Sequence, residues 1–491
     1  MAFKVAFIGA GSLTFTRNLL RDILSVPEFS GIEIAFTDIN EENLVMSTAI
    51  CQRDIDANGL AIKIKATTDR RAAFKNAKYI VNCVRIGMLE GFETDVEIPL
   101  QYGVDQCVGD TICAGGIMYA QRGIAAMLEF CKDIRDVAAP NAIMLNYANP
   151  NAMVTWACNQ YGGVFTIGLC HGVQHTHALI ARAFGVPVDE LEYICAGINH
   201  MTWFTQLTHK GKDMLPGLLE ALEGNEEIRR TQPLRIDVLK RFGYFCTEGN
   251  GHLSEYIPWY RRTPEEMKNW VNLDRWGGGE TGGYLRECRE QRGWFTTDYP
   301  RLLKEAPKTY APEARDVEHG SYIIESLETG RLYRGCFNLV NNSAISNLPD
   351  DCVVESPCYV DATGVHQAQI GPLPLGCAAM CLSNISVQRL GTEAAVHGDI
   401  ALLRQAMLMD PLVGAVCNPP QVWQMVDDML IAGEIWLPQY NSDIPAAKAR
   451  RRTQPRLPTH DNFTGVARID VQSADQVREN RAEHAEKFKN I

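Results

Sequence analysis

The sequence predicts an α/β protein that opens with a doubly wound parallel sheet and continues into a mixed α+β domain. An apolar run at residues 4–8 breaks into the turn Gly9-Ala10-Gly11-Ser12, and a helical pattern at 15–24 follows. A second apolar run, 32–36, ends at Asp38. Apolar strands and amphipathic helices then alternate over the first third of the chain. This alternation is typical of the Rossmann-like sheet of lactate and malate dehydrogenases.

The elements of this first domain, residues 1–190, follow from local patterning. Short apolar runs predict strands, and longer stretches with apolar residues at helical spacing predict helices. The predicted strands are 4–8, 32–36, 79–84, 142–147 and 164–168, and the predicted helices include 41–58, 70–76 and 115–136. The carboxyl ends of parallel strands share one sheet edge, where ligands bind. Asn146, Asn149, Cys170 and His171 lie at or just after such ends.

The pattern changes after residue 190. We expect strands at 193–196 and 203–208, a mostly helical stretch from 216 to 245, and a loop-rich region from 249 to about 312. A mixed α+β domain over 191–440 is therefore predicted to pack on the first. Residues 441–491 form a polar tail with prolines. Its basic run at 448–452 is typical of a solvated, partly ordered terminus.

Composition restricts the class of protein. The 491-residue chain has a net charge of −12, which disfavours nucleic acid or an anionic membrane as a partner. No apolar run is long enough to span a bilayer. The first residues lack the apolar segment of a signal peptide, so the sixteen cysteines are expected to be reduced thiols in a cytoplasmic protein.

The glycine turn predicts a dinucleotide site. Gly9 permits the sharp bend after the first strand, and Gly11 lets a pyrophosphate approach the N–H groups at the start of the helix. Thr14 stands where the third glycine of the usual fingerprint would fall. Asp38 is positioned to accept hydrogen bonds from ribose hydroxyls and to repel a 2′-phosphate, which favours NAD over NADP. The alternative is that Asp38 is a solvated acid at a strand end.

Two further groups of residues are candidates for chemistry. Cys170 and His200 each follow a predicted strand, and a thiolate with an imidazole could hold a metal that keeps open positions for substrate. Alternatively, both are core residues. The run 146–151 contains three asparagines around a proline turn, which suits sugar hydroxyls or a nicotinamide amide as well as it suits an Asn-rich turn.

Several motifs in order along the chain resemble those of a known family. They are Gly9-Ala10-Gly11-Ser12, Asn146-Tyr147-Ala148-Asn149-Pro150, Gly168-Leu169-Cys170-His171, Ala196-Gly197-Ile198-Asn199-His200-Met201 and Asn347-Leu348-Pro349. Together they resemble the family 4 glycoside hydrolases over residues 1 to about 440. Segments 243–245 and 251–256 are similar to the α-galactosidase (melibiase) branch, whereas Gly172 is similar to the α-uronidase members.

The resemblance implies NAD⁺, a divalent metal such as Mn²⁺, and an α-glycosidase reaction outside the usual two-carboxylate scheme. That reaction is C3 oxidation, C2 deprotonation, elimination, water addition and re-reduction. Carried over by position, Cys170 and His200 would bind the metal. For NAD, the glycine turn already predicts Gly9, Gly11, Ser12 and Asp38 as the binding residues. His171 would be the general acid.

The resemblance also implies a substrate-binding residue and a base that removes the C2 proton. Asn149 would bind substrate, and the C2 base would be Tyr256 or His252. We expect α-galactosides as substrates, with α-galacturonides or α-glucuronides as the alternative, for which Arg85 or Arg122 could pair a carboxylate. Alternatively, these two arginines contact NAD phosphates or form surface ion pairs. A malate- or lactate-type dehydrogenase is a second alternative. A homodimer or homotetramer is expected.

Overall fold

The computed structural model describes residues 2–273, 277–316, 318–457, 464–473, 475–477 and 479. Within these ranges the strands form one mixed sheet. The strands are β1 (Lys4–Ile8), β2 (Glu33–Thr37), β3 (Lys65–Thr67), β4 (Tyr79–Asn82), β5 (Ile143–Asn146), β6 (Thr166–Gly168), β7 (Leu191–Ile198), β8 (Met201–His209), β9 (Lys212–Asp213), β10 (Phe245–Cys246), β11 (Tyr333–Val340), β12 (Val353–Asp361) and β13 (Gly364–Gln367).

The first six strands form the predicted parallel half of the sheet. Their spatial order is β3-β2-β1-β4-β5-β6, and each neighbouring pair is parallel. This is the order of a dinucleotide-binding doubly wound sheet, in which the direction of winding reverses between β1 and β4. The Rossmann-like prediction is confirmed, with strand bounds within two residues of those expected.

The second half of the sheet is antiparallel and continues directly from the first. The order runs on as β6-β11-β12-β7-β8-β10, with β13 beside β12 and β9 beside β8. β6 and β11 meet through the pair Gly168 and Asn338. The predicted boundary at 190/191 falls just before β7, so it marks a change of strand direction within one sheet rather than a break between two sheets.

Helices cover both faces of this sheet. They are α1 (Leu13–Leu24), α2 (Glu41–Ala57), α3 (Arg70–Phe74), α4 (Met88–Gln101), α5 (Cys113–Val137), α6 (Asn151–Ala157), α7 (Gly172–Phe184), α8 (Leu218–Gly224), α9 (Glu226–Thr231), α10 (Pro233–Phe242), α11 (Asn250–Tyr256), α12 (Pro264–Trp270), α13 (Gly283–Glu290), α14 (Trp294–Leu302), α15 (His319–Thr329), α16 (Leu375–His397), α17 (Ile400–Met409), α18 (Pro411–Val416), α19 (Pro419–Ala432) and α20 (Ile444–Thr453).

The period-two alternation along the central strands divides the apolar core into two. On β4, Ile80 points into the core beneath α5 and α16, whereas Tyr79 and Val81 point into the core beneath α1, α2 and α15. Successive strand residues face opposite sides of a sheet, so a strand buried on both faces must be apolar at every position. This explains why the strands of the first domain are continuous apolar runs.

Two expectations for the later part of the chain are wrong. The region 249–312 is not mainly loop, because it contains the helices α11 to α14. The basic run at 448–452 lies in α20, where Arg450 pairs with Asp427 at 2.7 Å and Arg451 pairs with Asp428 at 2.5 Å on α19. These two ion pairs hold α20 against α19. The predicted polar tail beyond residue 479 lies outside the described residues.

Two predictions based on composition can be compared with the structure. All sixteen cysteines are free thiols. Among the helices of the described residues, we find none that combines the length and the apolar character required to cross a bilayer.

Candidate active site

One cavity of about 1240 Å³ connects the glycine turn to the carboxyl ends of the parallel strands. Nearly all the residues predicted for the site lie on its wall: Gly9, Gly11, Ser12, Asp38, Asn149, Cys170, His171, His200 and His252. Tyr256, the remaining predicted site residue, is not among the described residues that line this wall. The sheet topology therefore brings together groups that are far apart in sequence.

The glycine turn has the geometry of a phosphate cradle. Gly9 adopts a φ of +83°, which a residue with a Cβ rarely adopts. The N–H of Gly11 donates to Asp38 Oδ2 at 2.8 Å, and a Cβ added to Gly11 would lie 2.8 Å from that same oxygen. Ser12 directly precedes α1, so the turn leads into a helix N-terminus, where backbone N–H groups favour an anion.

Asp38 is fixed in place but keeps capacity to accept hydrogen bonds. Its Oδ1 accepts from the N–H of Asn40 at 2.8 Å, and its Oδ2 accepts from Gly11. An ionised carboxylate offers about four acceptor positions, so room remains for two ribose hydroxyls. Arg70, which lies on the same wall, is paired with Asp133 at 2.6 Å. The cradle thus fits a dinucleotide without a 2′-phosphate.

A three-residue cluster of metal-ligating groups lies at the centre of the cavity. Cys170, His200 and Glu248 each present one donor atom, and these atoms lie within 4.8 Å of one another. His200 Nε2 and Glu248 Oε1 are 3.7 Å apart. A thiolate, an imidazole and a carboxylate form a suitable protein donor set for a divalent transition metal, with further positions open to substrate.

The electrostatics of the cluster also suit a cation. Burial raises the pKa of the Cys170 thiol well above its ordinary value, with Glu355 and Glu248 adding to the effect. Burial lowers the pKa of His200, so its imidazole is neutral and able to ligate. A thiolate at Cys170 therefore requires a compensating positive charge, which a bound divalent metal provides.

Two of these three residues have an unusual backbone conformation. His200 has a φ of +64° and Glu248 a φ of +74°. Each non-glycine residue in the left-handed region costs about 1–3 kcal/mol when the surroundings enforce it, and such residues concentrate at functional sites. Glu248 was missed by the sequence analysis. The available signal was its position two residues after the end of a strand, β10.

His171 stands beside the metal-ligand cluster at the start of α7. Its Nδ1 lies 3.4 Å from Glu318 Oε1. The hydrogen bond with Glu318 raises the pKa of the His171 imidazole above its ordinary value. Half of the side chain is exposed, and it lies on the cavity wall. The arrangement therefore favours a protonated imidazole next to the metal-ligand cluster.

Asn149 is oriented by a buried carboxylate. Its Nδ2 donates to Asp110 Oδ2 at 3.1 Å, and Arg85 Nη2 donates to the same oxygen at 3.3 Å. Among the described residues, Asp110 Oδ1 is buried without a hydrogen-bond partner, and Asp110 lies on the cavity wall. Asp110 is a second polar residue that the sequence analysis missed.

Helix α11 carries both residues predicted as the C2 base. His252 Nδ1 lies 2.5 Å from Glu255 Oε2, and its Nε2 lies 2.8 Å from His200 Nδ1 and 2.7 Å from Thr111 Oγ1. Tyr256 packs edge-on against His252, with ring centroids 5.4 Å apart. Burial raises the pKa of the Tyr256 hydroxyl well above its ordinary value.

The two arginines considered for a substrate carboxylate have partners within the protein. Arg122 is 2% exposed at its side chain and forms a two-point ion pair with Asp95, at 2.5 and 2.8 Å. Arg85 also donates to the Tyr284 hydroxyl at 3.0 Å. Arg122 thus stabilises the packing of α5 against α4, and Arg85 lines the cavity.

Comparison with protein-family models shows which family this chain belongs to. The model of the family 4 glycosyl hydrolases matches residues 4–186, and the model of the family 4 glycosyl hydrolase C-terminal domain matches residues 195–413. This chain belongs to glycosyl hydrolase family 4. The resemblance drawn from its motifs is confirmed, and the dehydrogenase alternative is not favoured.

Individual family 4 relatives cover nearly the whole chain. An alpha-galactosidase of Rhizobium meliloti is 52% identical over 97% of this chain and 97% of its own length. An alpha-galactosidase of Bacillus subtilis is 32% identical over 89% of this chain and 99% of its own length. The 6-phospho-beta-glucosidase of Thermotoga maritima, solved with manganese, NAD⁺ and glucose-6-phosphate, superposes with a TM-score of 0.73 at 23% identity, over 88% of this chain and 99% of its own.

Proposed function

We propose that this protein is an α-galactosidase that depends on NAD⁺ and on a divalent cation such as Mn²⁺. Its reaction is C3 oxidation, C2 deprotonation, elimination, water addition and re-reduction. The observation that supports this best is the single cavity that joins the glycine turn to the Cys170, His200 and Glu248 cluster. The 52% identity to the Rhizobium meliloti alpha-galactosidase supports the choice of sugar.

Each cofactor has a matching set of residues. Gly9, Gly11, Ser12 and Asp38 would hold NAD⁺, and Cys170, His200 and Glu248 would hold the cation. When bound, these groups supply a hydride acceptor and donor and a Lewis acid for substrate oxygens.

His171 has the position and charge of the general acid. Its Nδ1 is directed at Glu318, so Nε2 is the ring nitrogen that can deliver a proton to the leaving oxygen. Glu318 favours the protonated imidazole, and it also fixes the ring orientation. A positioned acid of this kind contributes about 10²- to 10⁴-fold to the rate.

The leaving group would depart along α7, because His171 immediately precedes that helix. His175, Ala178, Leu179 and Arg182 lie at helical spacing from His171, and all line the cavity. From His171 to Arg182 they form a stripe that is roughly 16 Å long, from a rise of 1.5 Å per residue. Its imidazole and guanidinium groups suit a saccharide leaving group.

Three residues are candidates for the C2 base. His252 lies on the cavity wall, but both of its ring nitrogens are engaged by other residues. Tyr256 lies behind His252. Asp110 joins them, because its Oδ1 has no partner among the described residues and the side chain reaches the cavity.

Isotope effects separate these candidates. We would compare Tyr256→Phe, His252→Gln and Asp110→Asn with an α-galactoside deuterated at C2. Loss of the base makes C2–H cleavage rate-limiting, so that variant alone should have a lower kcat together with an increased isotope effect. A lower kcat with an unchanged isotope effect removes a residue from consideration as the base.

Hydrolysis of a substrate panel tests the function as a whole. We would assay α-galactosides, α-glucosides and α-galacturonides with and without NAD⁺ and Mn²⁺ under reducing conditions. The proposal requires galactoside hydrolysis that needs both additions. Preference for the galacturonide would favour the uronidase alternative, and hydrolysis without NAD⁺ would contradict the mechanism. Net NADH formation from a hydroxy acid would favour a dehydrogenase.

Location and assembly are also part of the proposal. Sixteen free thiols suit a reducing compartment, which supports a cytoplasmic location. A homodimer or homotetramer is proposed from the family resemblance. The exclusion of nucleic acid and membranes as partners is proposed from the net charge of −12.

A further inference from the structure

A buried chain of hydrogen bonds lies directly behind the metal-ligand cluster. Glu255 Oε2 lies 2.5 Å from His252 Nδ1, and His252 Nε2 lies 2.8 Å from His200 Nδ1. The other ring nitrogen of His200, Nε2, faces Glu248 at 3.7 Å. The chain therefore runs from a carboxylate with no solvent exposure, through two imidazoles, to the donor atom that would contact a cation.

The first member of this chain is held rigidly. Glu255 Oε1 accepts the backbone N–H groups of Cys107, Val108 and Gly109 at 2.9, 3.0 and 3.0 Å. Successive N–H groups that converge on one oxygen form an anion-binding nest. Because three donors hold Oε1, the carboxylate is unable to rotate, and Oε2 stays directed at His252.

Hydrogen-bond roles along the chain follow from this fixed carboxylate. An ionised carboxylate only accepts hydrogen bonds, so His252 must carry its proton on Nδ1. A cation at His200 Nε2 would leave the proton of His200 on Nδ1, so His252 Nε2, 2.8 Å away, must accept it. The hydroxyl of Thr111, 2.7 Å from the same Nε2, can rotate its hydrogen and does not prevent this bond. His200 is left with an unprotonated Nε2 that points at the cluster, which is the tautomer a metal requires.

We propose that Glu255 and His252 are positioning residues that fix the tautomer of His200 and so set the cation affinity of the cluster. The inference rests on the proposed function only in requiring that Cys170, His200 and Glu248 bind a divalent cation. His252 Nε2 serves as an acceptor for His200, so in this account His252 is not the base at C2.

The variant Glu255→Gln tests the proposal with almost no change in shape. The three N–H groups at 107–109 still demand an acceptor, so the amide oxygen must face them and the NH₂ must face His252. Because that NH₂ donates to His252 Nδ1, the proton of the neutral His252 ring must move to Nε2. His252 Nε2–H and His200 Nδ1–H would then point at each other, so His200 must give up the Nδ1–H tautomer. Mn²⁺ affinity measured by calorimetry should fall about 10- to 100-fold, the usual effect of losing an outer-shell partner.

A tautomer measurement separates this role from general loss of structure. We would record ¹⁵N NMR spectra of histidine-labelled protein loaded with Cd²⁺, a diamagnetic probe. Wild-type protein should show His200 protonated at Nδ1, and Glu255→Gln should lose that signal while NAD⁺ affinity is retained. The control is Glu280→Gln, another buried glutamate, which is paired with Arg286. Unchanged Mn²⁺ affinity and an unchanged tautomer in Glu255→Gln would overturn the proposal.

A pair of variants at His252 keeps the proposal testable if Glu255→Gln fails to fold. The amide oxygen of His252→Gln replaces the acceptor for His200 Nδ1, whereas His252→Leu removes it. We expect Mn²⁺ affinity within about threefold of wild type for the first, and about 10- to 100-fold weaker for the second. Equal affinities would contradict the proposal. Because the readout is Mn²⁺ binding, an error in the assigned sugar or reaction leaves this test valid.

Discussion

The substitution Gly11→Ala should weaken NAD⁺ binding through a clash that the structure specifies. The new Cβ would lie 2.8 Å from Asp38 Oδ2 and 3.0 Å from Asn43 Cβ, so the carboxylate has to move. The hydrogen bond from the Gly11 N–H to Asp38, now 2.8 Å, is lost. The displaced Asp38 would then lose a hydrogen bond to a ribose hydroxyl of NAD⁺. A hydrogen bond to a charged group contributes about 1.5–3 kcal/mol, which corresponds to about a 10- to 150-fold increase in the NAD⁺ dissociation constant.

Calorimetric titration with NAD⁺ measures this effect directly. Mn²⁺ affinity should be unchanged, because the turn does not belong to the metal-ligand cluster. Gly224→Ala is the matched control, since a Cβ at Gly224 meets no atom within 4 Å. An NAD⁺ affinity of Gly11→Ala within twofold of wild type would refute the assignment of the glycine turn as the cofactor site.

Four further predictions concern single side chains. Cys170→Ser should lower Mn²⁺ affinity by more than about 100-fold, since loss of an outer-shell partner alone costs about 10- to 100-fold. NAD⁺ binding should stay intact, and normal Mn²⁺-dependent turnover would remove Cys170 from the metal site. His171→Asn should reduce kcat/KM for a disaccharide by about 10²- to 10⁴-fold and for a nitrophenyl galactoside by less, because nitrophenolate departs without an acid; equal losses would argue against the acid role. Asp95→Ala leaves Arg122 buried and unpaired, so urea unfolding should show a loss of about 3–5 kcal/mol; a loss below about 1 kcal/mol would show that the pair is not structural. Arg182→Met should lower kcat/KM for oligosaccharides more than for nitrophenyl galactoside, and a uniform effect would contradict the leaving-group path along α7.

The parallel half of the fold could be predicted because its signals are local. A strand buried on both faces is apolar throughout, and a helix with one buried face has apolar residues at a spacing of three or four. The attachment of the antiparallel half depends instead on pairings such as Gly168 with Asn338. Such a contact leaves no pattern in either segment alone.

Helix α11 lies in the region predicted to be rich in loops, and it contains a glycine, a residue common in loops. Gly251 lies within that helix, and a Cβ there would lie only 2.4 Å from the backbone N of Gly279. The glycine therefore permits close packing of a helix rather than flexibility. The loop prediction concealed the regular spacing of His252, Glu255 and Tyr256 on one short helix.

Part of the candidate site could be predicted because some of its residues follow predicted strands directly. Cys170 and His171 follow a strand of the parallel sheet, where function is expected. Glu248, Asp110 and Glu318 lie outside that sheet's strand ends, and the tertiary fold alone brings them to the cavity. The φ of +74° at Glu248 would have been an informative sign, but backbone conformation is not visible in a sequence.

Deuterium incorporation tests the central claim most directly. We would hydrolyse an α-galactoside in D₂O with NAD⁺ and Mn²⁺ present and examine the released galactose by NMR. Deprotonation at C2 followed by water addition predicts deuterium at C2 of the product, with no net NADH formed. Galactose released at full rate with hydrogen retained at C2 would contradict the oxidation and elimination mechanism.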